Sequence, residues 1–345
     1  MATASLPYFA AATAWRLYSY VLCPHRYESG DAVLYDFYQR MVLFVFEKIS
    51  RVPVVFSGDA MEVFSKPERA IYICNHRCTV DWVVADMLAY RQGTLGHLRY
   101  VLKESLQYMP LFGCYFWMHG CVFVRRGGGS EANSRLMNRQ LSYLKLLREP
   151  FWLVLYPEGT RFNPTNARQR AMSDLVTEKL GQAPLRHVLP PRLQGFRNVK
   201  AALGDGIDAI YDVTISYENQ PFVKTDGAPS MWEFVSGAVR AVHVRVDRFP
   251  VGSVDDDADW LVDRFRQKDE RLERFARAST LADEGESARE LPLSTWPLIG
   301  PAATFAGLTT ASMLGLNSEG RRALGIGWLA AALLGVAAVK IGAAR

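Results

Sequence analysis

Between residues 54 and 278 the sequence alternates short apolar runs with amphipathic stretches, and this alternation constrains the fold more than any other feature. The runs Val54 to Phe56, Ala70 to Cys74, Leu98 to Leu102, Cys121 to Val124, Phe151 to Tyr156, Ile207 to Tyr217 and Ala241 to Val246 are rich in apolar residues. Such runs mark strands buried on both faces, as in parallel sheets. Helical periodicity occupies Val80 to Tyr90, Glu131 to Leu147 and Asp257 to Ala278. The pattern predicts an α/β class: a mixed, mostly parallel sheet flanked by helices.

The two ends read differently. From Leu291 to Ser318 no residue is charged, and a helix of that length would span about 42 Å against roughly 30 Å of hydrocarbon. Pro292, Pro297 and Pro301 break its first half, so a straight helix is excluded and a kinked or interfacial one starts near Ala302. A second charge-free run, Ala323 to Val339, follows a polar turn. Together they predict a transmembrane or membrane-embedded helical hairpin over 291–342, with two buried core helices as the alternative. Residues 1–50 carry aromatics around Arg16 and predict membrane-associated, interfacial helices, a soluble amphipathic pair being the other reading. The domain so delimited is 51–281, with the charged, small-residue segment Asp283 to Glu290 as linker.

The net charge is +5 and the five cysteines form neither a CxxC pair nor a zinc spacing, which argues for a reducing, intracellular compartment.

In an open α/β sheet the working residues lie just past the strand ends. Three such places stand out. After Cys74 comes Asn75-His76, then Asp81 in the first helical turn beyond. A carboxylate that orients an imidazole makes a general base, although His-x4-Asp alone is a weak signal, and a structural histidine with a helix-capping aspartate fits it equally. Gly120 to Ser130 delivers Arg125 and Arg126 into a glycine-rich loop, suited to a phosphate or to a solvated connection. Pro157-Glu158-Gly159-Thr160-Arg161 packs a carboxylate, a hydroxyl and a guanidinium around a glycine.

Taken in this order, with the later Val188-Leu189-Pro190, these blocks resemble the glycerolipid acyltransferases, specifically the 1-acyl-sn-glycerol-3-phosphate (lysophosphatidate) acyltransferases. Flanking text such as Thr79-Val80-Asp81-Trp82 looks like the epsilon branch of the eukaryotic enzymes. The motif core covers 70–192. The resemblance implies the glycerolipid acyltransferase fold, and transfer of an acyl group from acyl-CoA to the sn-2 hydroxyl of lysophosphatidate, giving phosphatidate and CoA. His76 would be the base and Asp81 its orienting partner. Lys103, Gly120, Arg126, Glu158, Gly159, Thr160 and Arg161 would form the site for the glycerol phosphate, and Pro190 would mark a fourth motif near acyl-CoA. Phe162 and Leu189-Pro190-Pro191-Arg192 depart from the commoner family pattern. Acyl-CoA is a co-substrate; no cofactor, metal or nucleic acid is implied. The expected setting is a bilayer, that of the endoplasmic reticulum or alternatively the mitochondrial outer membrane. The alternatives are another lysophospholipid acceptor, such as lysocardiolipin, or a catalytically idle membrane-binding protein of the same fold.

Overall fold

The computed structural model describes residues 5–109, 112–125, 130–147, 149–220, 228–254 and 257–314. Helices α1 (Ser5–Leu22) and α2 (Tyr27–Leu43) come first. Then follow β1 (Val54–Gly58), α3 (Ala60–Ser65), β2 (Ala70–Cys74), α4 (Asp81–Gln92) and β3 (Leu98–Lys103). Next are α5 (Phe112–Met118), β4 (Val122–Val124), α6 (Ser130–Leu144), β5 (Trp152–Leu155), α7 (Ala167–Lys179) and α8 (Leu193–Leu203). The described chain closes with β6 (Ala209–Asn219), α9 (Met231–Val235), β7 (Val239–Pro250), α10 (Asp257–Ala278), β8 (Arg289–Glu290) and α11 (Trp296–Leu314). Each of the strands and helices expected from the pattern is present, with ends shifted by a few residues.

The chain divides into two compact units, neither of them one stretch of sequence. Among the described residues, the first gathers those of 1–44, 95–146 and 294–314; the second holds those of 45–94 and 147–293. This differs from the linear division at 50 and 281, because residues 95–146 group with the N-terminal helices. In the first unit, Tyr115 of α5 packs edge-on against Tyr8 and Phe9 of α1, with ring centroids 5.3 and 5.7 Å apart. His119, 1% exposed, stacks on Tyr35 at 3.9 Å and holds Asp31 at 2.6 Å through Nδ1. Burial pushes the His119 pKa down to about 4. This histidine is a structural tie between α2 and the turn after α5.

The C-terminal expectation of a membrane hairpin finds no support in the described residues. Among the described residues no helix is long and apolar enough to cross a membrane. α11 carries Pro301 inside it and packs in the first unit, burying Leu298 and Phe305, the latter against Phe37 and Tyr38. Apolar composition alone does not say which apolar medium a helix enters, and here aromatic side chains of α2 supply part of it. Residues 315–342 of the expected hairpin lie outside the described residues.

In the second unit the strand order is β5-β2-β6-β7-β1-β8. β2 lies between β5 and β6 and is parallel to both, with Ile73 opposite Leu155 on one side and Asp212 on the other. β2 and β5 are buried at every position, which is why they read as unbroken apolar runs. Because β2 and β5 are parallel and end in register, the turns that follow Cys74 and Leu155 leave the sheet side by side. β7 pairs antiparallel with β6 and parallel with β1. The segment expected to be a linker is part of this unit: Arg289 and Glu290 pair with Phe56 and Val55 as an antiparallel edge, and Glu286 accepts from the Gly58 amide and pairs with Arg245 at 2.5 Å. Two charged residues carry no hydrophobic alternation, so pattern reading cannot find such an edge strand.

Candidate active site

The turn after β2 is fixed before any catalytic side chain is considered. Asn75, fully buried, donates its Nδ2 to the carbonyl of Ile215 at 3.0 Å and accepts the Ile215 amide at 2.8 Å, clamping the strand end to β6. The chain then curls so that Asp81, the first residue of α4, looks back along the turn. Its Oδ2 accepts from the amides of Arg77 (2.7 Å) and Cys78 (3.0 Å) and lies 2.8 Å from His76 Nδ1. Its Oδ1 accepts from Tyr217 Oη at 2.7 Å and Cys78 Sγ at 3.3 Å. The two readings of Asp81, turn cap and histidine partner, are both realised by one carboxylate.

Every partner of Asp81 donates to it, so His76 carries its hydrogen on Nδ1 and its lone pair on Nε2. Nε2 has no hydrogen-bond partner among the described residues, and the side chain is 24% exposed. Tyr156, the first residue past β5, stacks on the imidazole with centroids 4.3 Å apart. The result is an oriented imidazole with one open, basic nitrogen, suited to taking a proton from a hydroxyl.

Glu158 joins the turns. Its side chain is 2% exposed; Oε1 accepts the His76 amide at 2.7 Å and Oε2 accepts the Leu189 amide at 3.1 Å. The Phe162 amide returns to the His76 carbonyl at 2.8 Å, and the Arg192 amide to the Pro157 carbonyl at 2.8 Å. Three stretches distant in sequence are thus sewn together around the peptide groups of His76. From α10, Asp269 accepts from the amides of Arg186, His187 and Val188, the shortest at 2.6 Å, which anchors the approach to Pro190.

The structure gives Glu158 a second task beside the expected one: each of its oxygens accepts a backbone amide and so ties the turn after β5 to His76 and Leu189. Burial pushes its pKa up to about 8, while the two amides pull the other way. A carboxyl raised in the fold from 4.5 contributes stability that is full below pH 4.5 and is lost as pH rises through 8. The stability advantage of wild type over Glu158→Gln should therefore shrink between pH 5 and 8.5, by at most about 5 kcal/mol. Thermal midpoints of both proteins across that range check it; a constant gap would show that Glu158 does not titrate there.

Residues 58–218 match the family model named Acyltransferase. The chain is 36% identical over 340 residues to the mouse 1-acyl-sn-glycerol-3-phosphate acyltransferase epsilon, covering 95% of this chain and 90% of that protein. The chain belongs to the 1-acyl-sn-glycerol-3-phosphate acyltransferase family, on its epsilon branch. A probable 1-acyl-sn-glycerol-3-phosphate acyltransferase 5 from Arabidopsis thaliana is 35% identical, over 70% of this chain and 62% of that protein. Lysocardiolipin acyltransferase 1 from Danio rerio is 31% identical, over 74% and 64%. A crystal structure of the 1-acyl-sn-glycerophosphate (LPA) acyltransferase PlsC from Thermotoga maritima aligns with a TM-score of 0.42 at 13% identity, over 78% of this chain and 94% of that one.

In this acyltransferase the second unit brings together His76, Asp81, Glu158 and Gly159, with Thr160 and Arg161 continuing the same turn and Pro190 next to the Leu189 amide that Glu158 holds. Arg161 is exposed, and its side chain has no partner among the described residues. Lys103 and Gly120 belong to the first unit, where Lys103 ends β3 exposed. A Cβ on Gly120, at φ +77°, would meet the Tyr143 ring at 3.0 Å, so that turn admits only glycine. Arg126 lies outside the described residues. Sequence reasoning missed Tyr156, Tyr217 and Asp269. Tyr156 adjoins the third motif, which is its local signal; Tyr217 is 136 positions from Asp81, with no local signal to mark it.

Proposed function

We propose that this protein transfers an acyl group from acyl-CoA to the sn-2 hydroxyl of lysophosphatidate, with His76 as general base. The observation that carries the reading is the His76–Asp81 pair with Nε2 left open. Nε2 takes the hydroxyl proton as that oxygen attacks the thioester carbonyl; the tetrahedral intermediate collapses, the C–S bond breaks, and the imidazolium returns its proton to the CoA thiolate. Positioning and a proton sink do most of the work, and no covalent enzyme intermediate is needed. Thr160 and Arg161 of the second unit are the residues we assign to the acceptor's glycerol phosphate, and Pro190 to the neighbourhood of acyl-CoA.

The setting we propose is the surface of an intracellular membrane, that of the endoplasmic reticulum before the mitochondrial outer membrane. Exposed Leu17, Tyr20, Val21 and Leu22 on α1 support this, as does α7, which buries Ser173 and Thr177 yet exposes Met172, Leu175 and Val176. A second reading keeps the chemistry and changes the acceptor to lysocardiolipin or another lysophospholipid, favoured by the relative of that name. A panel of lysophospholipid acceptors with purified protein tests both, and no transfer to any of them would overturn the proposal. Arg161→Ala should raise KM for lysophosphatidate by about tenfold or more, the worth of a charge-assisted bond, and change KM for acyl-CoA little. Equal effects on the two substrates would remove Arg161 from the phosphate.

A further inference from the structure

The guanidinium arm of Arg192 lies across Gly159. A Cβ built on that glycine would sit 2.8 Å from Arg192 Nε and 3.0 Å from both Cδ and Cζ. Gly159, at φ +67°, is thus demanded twice, by its backbone and by the arginine passing over it. The Arg192 backbone is fixed as well, its amide bonded to the Pro157 carbonyl. The side chain nonetheless makes no hydrogen bond or ion pair among the described residues and stays exposed. Other arginines of the same unit are spent on carboxylates: Arg264 on Asp212 and Asp247, Arg248 on Glu62 and Glu68. The Arg192 side chain passes over Gly159 while its donors find no partner among the described residues.

Its location gives those donors a purpose. Gly159 follows Glu158, and Glu158 holds the His76 amide, so Arg192 crosses the turn after β5 that is tied to the backbone of the base. In lysophosphatidate only C3 and the ester oxygen separate the sn-2 carbon from the phosphate, so whatever binds that phosphate must sit close to His76. A planar guanidinium matches a phosphate with two parallel N–H donors.

We propose that Arg192 is a second phosphate-binding guanidinium of the acceptor site, acting with Arg161; this rests on the acyl-transfer reading above. The departure Pro190-Pro191-Arg192 in the fourth motif then bears on the acceptor, and CoA, which also carries phosphates, is the competing source of the same chemistry.

The test measures KM for lysophosphatidate and for acyl-CoA separately, with full-length wild type, Arg192→Gln and Arg192→Lys. Glutamine keeps part of the arm over Gly159 and removes the charge; lysine restores a point charge without the fork. Arg192→Gln should raise KM for lysophosphatidate about tenfold or more, with KM for acyl-CoA changed less than about twofold, and Arg192→Lys should recover part of the loss. Unchanged KM for lysophosphatidate, a rise confined to acyl-CoA, or a fall in kcat alone would each overturn the assignment. Should Arg192→Gln unfold, the lysine variant decides alone: KM for lysophosphatidate equal to wild type overturns it, and a rise confined to that substrate supports it. Wild type that transfers to no lysophospholipid would instead overturn the acyl-transfer reading and this inference with it, so the two failures are told apart.

Discussion

Replacing His76 by alanine should lower kcat for acyl transfer by about 10²- to 10⁴-fold, the contribution of a positioned general base. The thermal midpoint should move little, because the side chain is partly exposed and the Glu158 and Phe162 bonds to residue 76 are made to its backbone. Labelled acyl-CoA and lysophosphatidate give the rate directly; activity retained in the variant would sink the assignment. Asp81→Asn should behave otherwise. Its carboxylate serves two amides, a phenol and a thiol besides the imidazole, and an amide nitrogen placed there would face donors. That variant should lose both activity and stability, so the contrast between the two separates catalysis from construction.

Replacing Asp212 by alanine should cost about 3–5 kcal/mol of stability, the largest effect expected outside the site. Asp212 and Lys268 are both fully buried, with Lys268 Nζ 2.5 Å from Oδ1, while Arg264 Nε reaches Oδ2 at 2.6 Å. Lys268 also donates to the Val213 carbonyl at 2.5 Å. Removing the carboxylate leaves the Lys268 ammonium buried without its carboxylate, Arg264 keeping Asp247, and at roughly 2–4 °C per kcal/mol the midpoint should fall by about 6–20 °C. Pairing Asp212→Leu with Lys268→Met should recover much of the loss, since apolar packing replaces a buried pair at little cost. A calorimetric scan of the three proteins decides; a midpoint unchanged in the alanine variant would mean that the pair contributes nothing. The pair also fastens α10 to β6, and through Asp269 the same helix holds the segment before Pro190. A structural ion pair thereby reaches toward the site.

Much of the fold was legible because β2, β5 and their neighbours are buried on both faces and so leave continuous apolar runs. The charge-free stretch beginning at Leu291 is ambiguous for the same reason: it reports a need for apolar surroundings without naming them, and in its described part Phe305 packs on Phe37 and Tyr38. The edge made by Arg289 and Glu290 was illegible, being too short and too charged for any period to register.

For the site, the amino-acid sequence by itself determined which chemistry is present: an imidazole five residues before a carboxylate, and a carboxylate, glycine and arginine past another strand. Only the tertiary structure decided which atoms meet. It gave Asp81 the Tyr217 hydroxyl, made Glu158 a tie between two backbone amides, and laid Arg192 over Gly159. The physical reason is range. Periodicity and turn chemistry act within a few residues, whereas these contacts follow from β2 lying between β5 and β6 in one register, which no local preference encodes.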